Sequence, residues 1–280
     1  MEFLWLIIAF AVLSALSYTV ARLPGTYNVL ILTCSGIFVV SWLVATDFQN
    51  TEGSFALIKF FSVWFSVLVF AWFRFKNPAS NILRIVLYAT LCINILEAVA
   101  FEILDIEQGG PTRNLGGSYW NVAAGLILLL TQARPNRCSV SDDARRDFHY
   151  NVGLLWVICY AVWNLAFIYG CRGPEHEFGQ YVGLAGLHLG VPLFLMFGKS
   201  NLFIQMRGYA LYFTVAAVLI YPFEPVYINT SDWYDAKTAD LLGYAALALA
   251  VLLLLQNVRT ARRQAAEDSP ANLVQFVFGR

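Results

Sequence analysis

The run Leu241-Leu-Gly-Tyr-Ala-Ala-Leu-Ala-Leu-Ala-Val-Leu-Leu-Leu-Leu-Gln-Asn-Val258 carries no charged side chain and ends against Arg259, Arg262 and Arg263. A helix rises about 1.5 Å per residue, so a run of this length suits a hydrocarbon core roughly 30 Å thick. The arginines behind it mark the cytoplasmic side, where positive charge in short flanking segments is retained. The C-terminus is therefore expected inside the cell.

Eight more apolar runs precede it, and they predict helices over Phe3 to Val20, Val29 to Ala45, Phe55 to Phe73, Ile82 to Leu104, Tyr119 to Thr131, Val152 to Gly170, Phe178 to Phe197 and Tyr209 to Tyr221. The fifth and eighth are short. Ser118 and Gln132 extend the fifth into the interface, as Arg207 and Phe223 extend the eighth. Composition agrees, because 280 residues that are 59% hydrophobic and 13% charged cannot present a water-covered surface. The expected fold class is all-α: a polytopic transmembrane bundle of about nine helices, N-terminus outside and C-terminus cytoplasmic. Residues 1–258 are expected to form a single transmembrane helical domain with a cytoplasmic loop at 133–150, and 259–280 a cytoplasmic tail.

The lysines and arginines test that count independently. Odd connections and the tail hold Arg22; Arg74 and Lys76; Arg134, Arg137, Arg145 and Arg146; Lys199 and Arg207; and Arg259, Arg262, Arg263 and Arg280. Even connections hold only Arg113 and Arg172, with Lys59 and Lys237 at helix entrances and Arg84 on the basic side of the fourth helix. A missing or extra helix would invert this alternation from that point onward. The acids Asp47, Glu52, Asp105, Glu107, Glu175, Glu177, Glu224, Asp232 and Asp235 fall on the outer side, either solvating loops or forming a cation-attracting vestibule. Met1-Glu2 gives the first run an acidic start, unlike a signal peptide, so the first helix is expected to be retained.

Polar residues inside apolar helices are the informative ones, since an unsatisfied polar group in hydrocarbon is costly and must face protein or water. In Asn94-Ile-Leu-Glu97-Ala98 the amide and the acid lie three apart on one helix face, and Asp105 returns close to the bearing of Asn94. Insertion scales put an ionised acid at the helix centre at about 2.5–3.5 kcal/mol, so Glu97 must be paired, wet or protonated. The ordinary alternative is an interhelical hydrogen bond holding the bundle together. Asn121 after Trp120, Asn164 after Trp163, His188 and Asp240 reach similar depth from the outer side. The amides suit packing as well as a pocket, and a lone histidine is more often a satisfied core residue than a ligand. Gly125, Gly183, Gly186 and Gly190 permit close helix approach. The expected pocket lining is Asn94, Glu97, Asp105, Trp120, Asn121, Trp163, Asn164, Tyr169 and His188. No catalytic set is assigned. The five cysteines, at 34, 92, 138, 159 and 171, lack the spacing of a metal or disulfide framework, and no metal or cofactor is expected.

The segments Asn94-Ile-Leu-Glu-Ala98, Trp120-Asn121, Trp163-Asn-Leu-Ala-Phe-Ile-Tyr-Gly-Cys171 and Gly198-Lys-Ser200 through Gln205-Met-Arg207 resemble the successive landmarks of an uncharacterised family of bacterial multi-pass membrane proteins. The likeness covers about residues 85 to 220. That family pattern carries a second Asn after Trp-Asn in the fifth helix and an Asp before Trp-Asn in the sixth, where this chain has Ala124 and Ala161. The resemblance implies no activity, and the two alanines argue against Asp-dependent or metal chemistry.

Three function classes remain. The first is a transporter or permease for a small polar or cationic solute, with Glu97 exchanging a proton. The second is a membrane enzyme acting on a lipid or isoprenoid-like substrate. The third is a receptor or accessory subunit, in which the polar groups are structural. Neither a phosphate-binding loop nor a zinc-protease motif is present, and the last helix has no lysine for a retinal Schiff base. No clear internal repeat supports a transporter. Location in the plasma (inner) membrane is expected, with membrane lipid and a small-molecule solute or lipid substrate as partners. Nucleic acid is not among them, and homo-oligomerisation is left open.

Overall fold

The computed structural model describes residues 2–46, 54–108, 118–171, 182–221, 235–263 and 273–274. Within them lie nine α-helices: α1 (Glu2–Arg22), α2 (Gly25–Ala45), α3 (Ser54–Phe75), α4 (Asn81–Gln108), α5 (Tyr119–Thr131), α6 (Leu154–Cys171), α7 (Val182–Leu195), α8 (Phe203–Ile220) and α9 (Ala236–Arg263). The all-α architecture is as expected. Six of the helices, α1 to α4, α8 and α9, are long and apolar enough to cross a membrane, while α5, α6 and α7 are shorter apolar helices. Their outward surfaces carry Ile7, Val12, Ile31, Phe38 and Leu252, large apolar side chains that a water-facing protein would bury. This is a membrane protein.

Two helices differ from the sequence reading in a way that matters. The α9 helix runs on past Val258 to Arg263, so its basic end is helical. The α8 helix begins at Phe203, before the expected Tyr209, which places Arg207 inside the helix, where it is buried.

The chain forms two compact units. The first comprises residues 1–90, 138–150 and 183–229, the second residues 91–137, 151–182 and 230–280, so α4 contributes its first turns to one and the remainder to the other. In the first unit α8 packs against α1, α2 and α3. Gly208 lets this happen, since a side chain there would run into the ring of Phe70. The connection 133–150, expected as a plain loop, instead contains a two-stranded antiparallel ribbon. Strand β1 (Cys138–Val140) pairs with β2 (Phe148–Tyr150), Cys138 opposite Tyr150. Phe148 holds it in place: fully buried, its ring centroid lies 5.0 Å from that of Phe70 and 5.8 Å from that of Phe73.

In the second unit α9 packs on α5 and α6, which also pack on each other. Gly125 marks one close approach in this unit. A Cβ at that position would lie 2.5 Å from Val99 Cγ2 and 2.8 Å from Trp163 Nε1.

Candidate functional site

The buried face of α4 in the second unit is Ile95, Ala98, Val99 and Glu102, the i, i+3, i+4, i+7 spacing of one helical stripe. An acid therefore occupies a core position, and Glu102 is only 1% exposed. Its carboxylate accepts from the backbone N–H of Ser118 at 3.2 Å and from Asn121 Nδ2 at 2.9 Å. Both donors belong to the start of α5, where Ser118 is the N-cap and its hydroxyl accepts from the Asn121 N–H at 3.2 Å. The carboxyl group of Glu102 therefore lies at the positive end of the α5 helix dipole.

Trp163, fully buried on α6, donates its indole N–H to the Asn121 carbonyl at 3.0 Å. It thereby fixes the first turn of α5 that presents the Asn121 side chain. With Nδ2 committed to Glu102, Asn121 turns its Oδ1 into a buried position where no donor reaches it among the described residues. The next residue along α6, Asn164, is 6% exposed, and its Oδ1 also has no donor among the described residues. This part of the unit thus offers one buried carboxylate and two amide oxygens that accept nothing. An oxygen in that condition costs the full desolvation of the group, and it is met by a ligand that brings N–H or O–H donors or positive charge.

Sequence reasoning placed Glu97 at the centre and passed over Glu102. Glu97 and Asn94 are half-buried and lie off the buried stripe of α4. Asp105 is near the C-terminal end of α4, outside the residues whose side chains are described. The signal for Glu102 was present: counting seven residues on from Ile95 along the apolar stripe lands on it. Trp120 is half-exposed and lies against Tyr244, ring centroids 5.9 Å apart. Tyr169 is buried, and its hydroxyl accepts from the backbone N–H of Asp235 at 2.8 Å, tying down the start of α9. There Asp235 caps the helix, and hydrogen bonds from the Thr238 hydroxyl and N–H hold its carboxyl below the usual range. Asp240 is exposed. His188 belongs to the first unit and not to the second.

The first unit has a polar cluster of its own, which sequence reasoning did not propose. Arg74 is fully buried near the end of α3 that the charge rule assigns to the cytoplasm. Its Nε donates to Arg146 O at 2.7 Å, Nη1 to the Tyr209 hydroxyl at 2.8 Å, and Nη2 to Ala21 O and Arg145 O, each at 2.8 Å. Asp147 accepts from Arg22 at 3.0 Å and from Gln205 Nε2 at 3.2 Å, with Arg74 Nη2 3.9 Å away. Gln205 in turn accepts from the N–H of Phe148. The network ties the ribbon connection to α1, α3 and α8.

Across residues 1–273 the chain matches a family of unknown function, DUF5692. It belongs to that family. The match reaches well beyond the landmarks at 85 to 220 and takes in the first three helices, to which the sequence landmarks had given little weight. No curated protein and no solved structure matches the chain.

Proposed function

We propose that this member of the DUF5692 family is a transporter or permease of the plasma membrane, moving a small polar or cationic solute that enters from the outer side of the second unit. The single observation that carries the reading is the acceptor surplus there: the Asn121 and Asn164 side-chain oxygens are buried and without donors, and Asn121 is locked to the buried Glu102. A rigid, partly unsatisfied set of oxygens suits an ammonium or polyhydroxylated solute, because binding it supplies the missing donors. Glu102 sits near the outer end of the apolar stretch of α4, Asn81–Ile103, where an entering cation is first stripped of water. Glu97 lies about a turn and a half deeper on the same helix, placed to act as a second acid along the path.

The test is flux into proteoliposomes, read as solute-induced current across a panel of small ammonium and polyol solutes. Wild-type protein is expected to give a saturable signal with at least one of them. Asn164→Leu is expected to lower it at least 10-fold while remaining folded. Flux that persists undiminished in both Asn164→Leu and Glu102→Gln would remove these residues from the path.

A further inference from the structure

A second site lies in the first unit, and it has the opposite charge. Along the helices of that unit the basic and imidazole side chains are Arg22 on α1, Lys59 and Arg74 on α3, Arg84 at the start of α4, His188 on α7 and Arg207 on α8; beyond Glu2 at the very start of α1, the helical residues belonging to this unit include no Asp or Glu. Arg74 is fully provided for, and the one acid of its network, Asp147, is engaged by Arg22 and Gln205. Arg207 has nothing comparable. It is 6% exposed, its Nε and Nη1 are buried with no acceptor, and no acid forms an ion pair with it among the described residues. His188, 8% exposed, has a buried Nε2 equally without partner. Both residues belong to the first unit, His188 on α7 and Arg207 on α8, and after burial itself the charge of Arg207 acts most on His188, with that of Lys59 next.

Burying a guanidinium without acceptors forfeits its hydration and gains nothing in return, so such a group persists where something else supplies the counter-charge. Guanidinium and imidazole N–H groups in a low-dielectric interior are the usual receptors for oxyanions. We propose that Arg207 and His188 form an anion-binding site in the first unit, taking a carboxylate or phosphate group, with Lys59 adding to the attractive field. The site is independent of the acceptor-rich set in the second unit, and either stands if the other fails.

The experiment uses full-length protein in phosphatidylcholine nanodiscs, titrated at constant ionic strength with inorganic phosphate and with acetate, and read by melting temperature and by calorimetry. A second arm measures by native mass spectrometry whether phosphatidylglycerol stays bound through delipidation. Wild-type protein is expected to bind at least one of the two free anions, or the lipid, saturably. Free-anion binding identifies a solute site, and retention of phosphatidylglycerol alone identifies a lipid headgroup as the ligand. In either case Arg207→Gln and His188→Leu are expected to weaken binding at least 10-fold, while Lys199→Gln leaves it unchanged. Wild-type protein that binds neither the anions nor the lipid overturns the site whatever the variants do. Binding that survives undiminished in a folded Arg207→Gln protein overturns it as well.

Discussion

Arg74 in the first unit has all three of its guanidinium nitrogens occupied, by three backbone carbonyls and the Tyr209 hydroxyl. In the second unit the amide oxygens of Asn121 and Asn164 are buried just as deeply and occupied by nothing among the described residues. Both regions bury polar chemistry in an apolar chain, yet one is closed and the other open. Arg74 keeps no vacant donor to offer a ligand, so with Asp147 and Gln205 it serves to fasten the ribbon connection to α1, α3 and α8. The open set keeps unmet acceptors that packing alone would have removed, and this is where function is to be sought.

The sharpest way to break that contrast is Arg74→Met. It strands the carbonyls of Ala21, Arg145 and Arg146 and releases Asp147 from its second cation, and a loss of about 3–5 kcal/mol is expected. The variant should melt far below wild type or elute as aggregate on size-exclusion chromatography; a normal melting temperature would mean that the network is dispensable. Glu102→Gln is the matching change in the second unit. It weakens the acceptor that holds Ser118 N–H and Asn121 Nδ2 while keeping shape, so a smaller loss, about 1–2 kcal/mol, is expected in thermal unfolding. A loss as large as that of Arg74→Met would place Glu102 with the structural network.

The smallest effect concerns the ribbon itself. Burial pushes the Cys138 thiol up from 9.0 to about 12, with the Arg84 charge opposing the rise. At pH 8 the thiolate is then about 1 in 10⁴ of the population. Cys138 should resist a water-soluble maleimide in folded protein at pH 8, and mass spectrometry after labelling checks it. The sign for stability follows: a thiol kept neutral by the fold leaves stability unchanged below pH 9, and stability falls as pH rises from there towards 12. Rapid labelling at pH 8 would show the ribbon to be detached from α3.

The helices were legible because a 30 Å apolar solvent demands long apolar runs, and the alternating Lys and Arg counted them without reference to hydropathy. The boundaries of α5 came out as read, since Ser118 supplies a cap and Gln132 an end. The ribbon at 138–150 was hidden. Its strands are three residues each, and what holds it is Phe148 packing on two residues of a helix some 75 positions earlier, a contact no local pattern announces. The polar groups were visible as residue types but not as partners. Glu97 drew attention because it stands in a recognisable motif, whereas Glu102, inside the fourth run but close to its end, was not singled out; only the position of the α4 stripe against α5 separates a buried acid from a half-buried one. Arg207 was read as an interfacial residue for the same reason, because the sequence does not say that α8 begins six residues before Tyr209.

The central claim is that the unmet oxygens of the second unit are kept for a ligand at the expense of stability. Asn164→Leu tests it most directly, because leucine keeps the branched outline of asparagine while removing the buried polar group. Melting temperature and solute flux measured on one proteoliposome preparation should move in opposite senses, with stability rising by about 1–2 kcal/mol and flux lost. A variant that melts lower than wild type, or that transports as well as it does, would contradict the account.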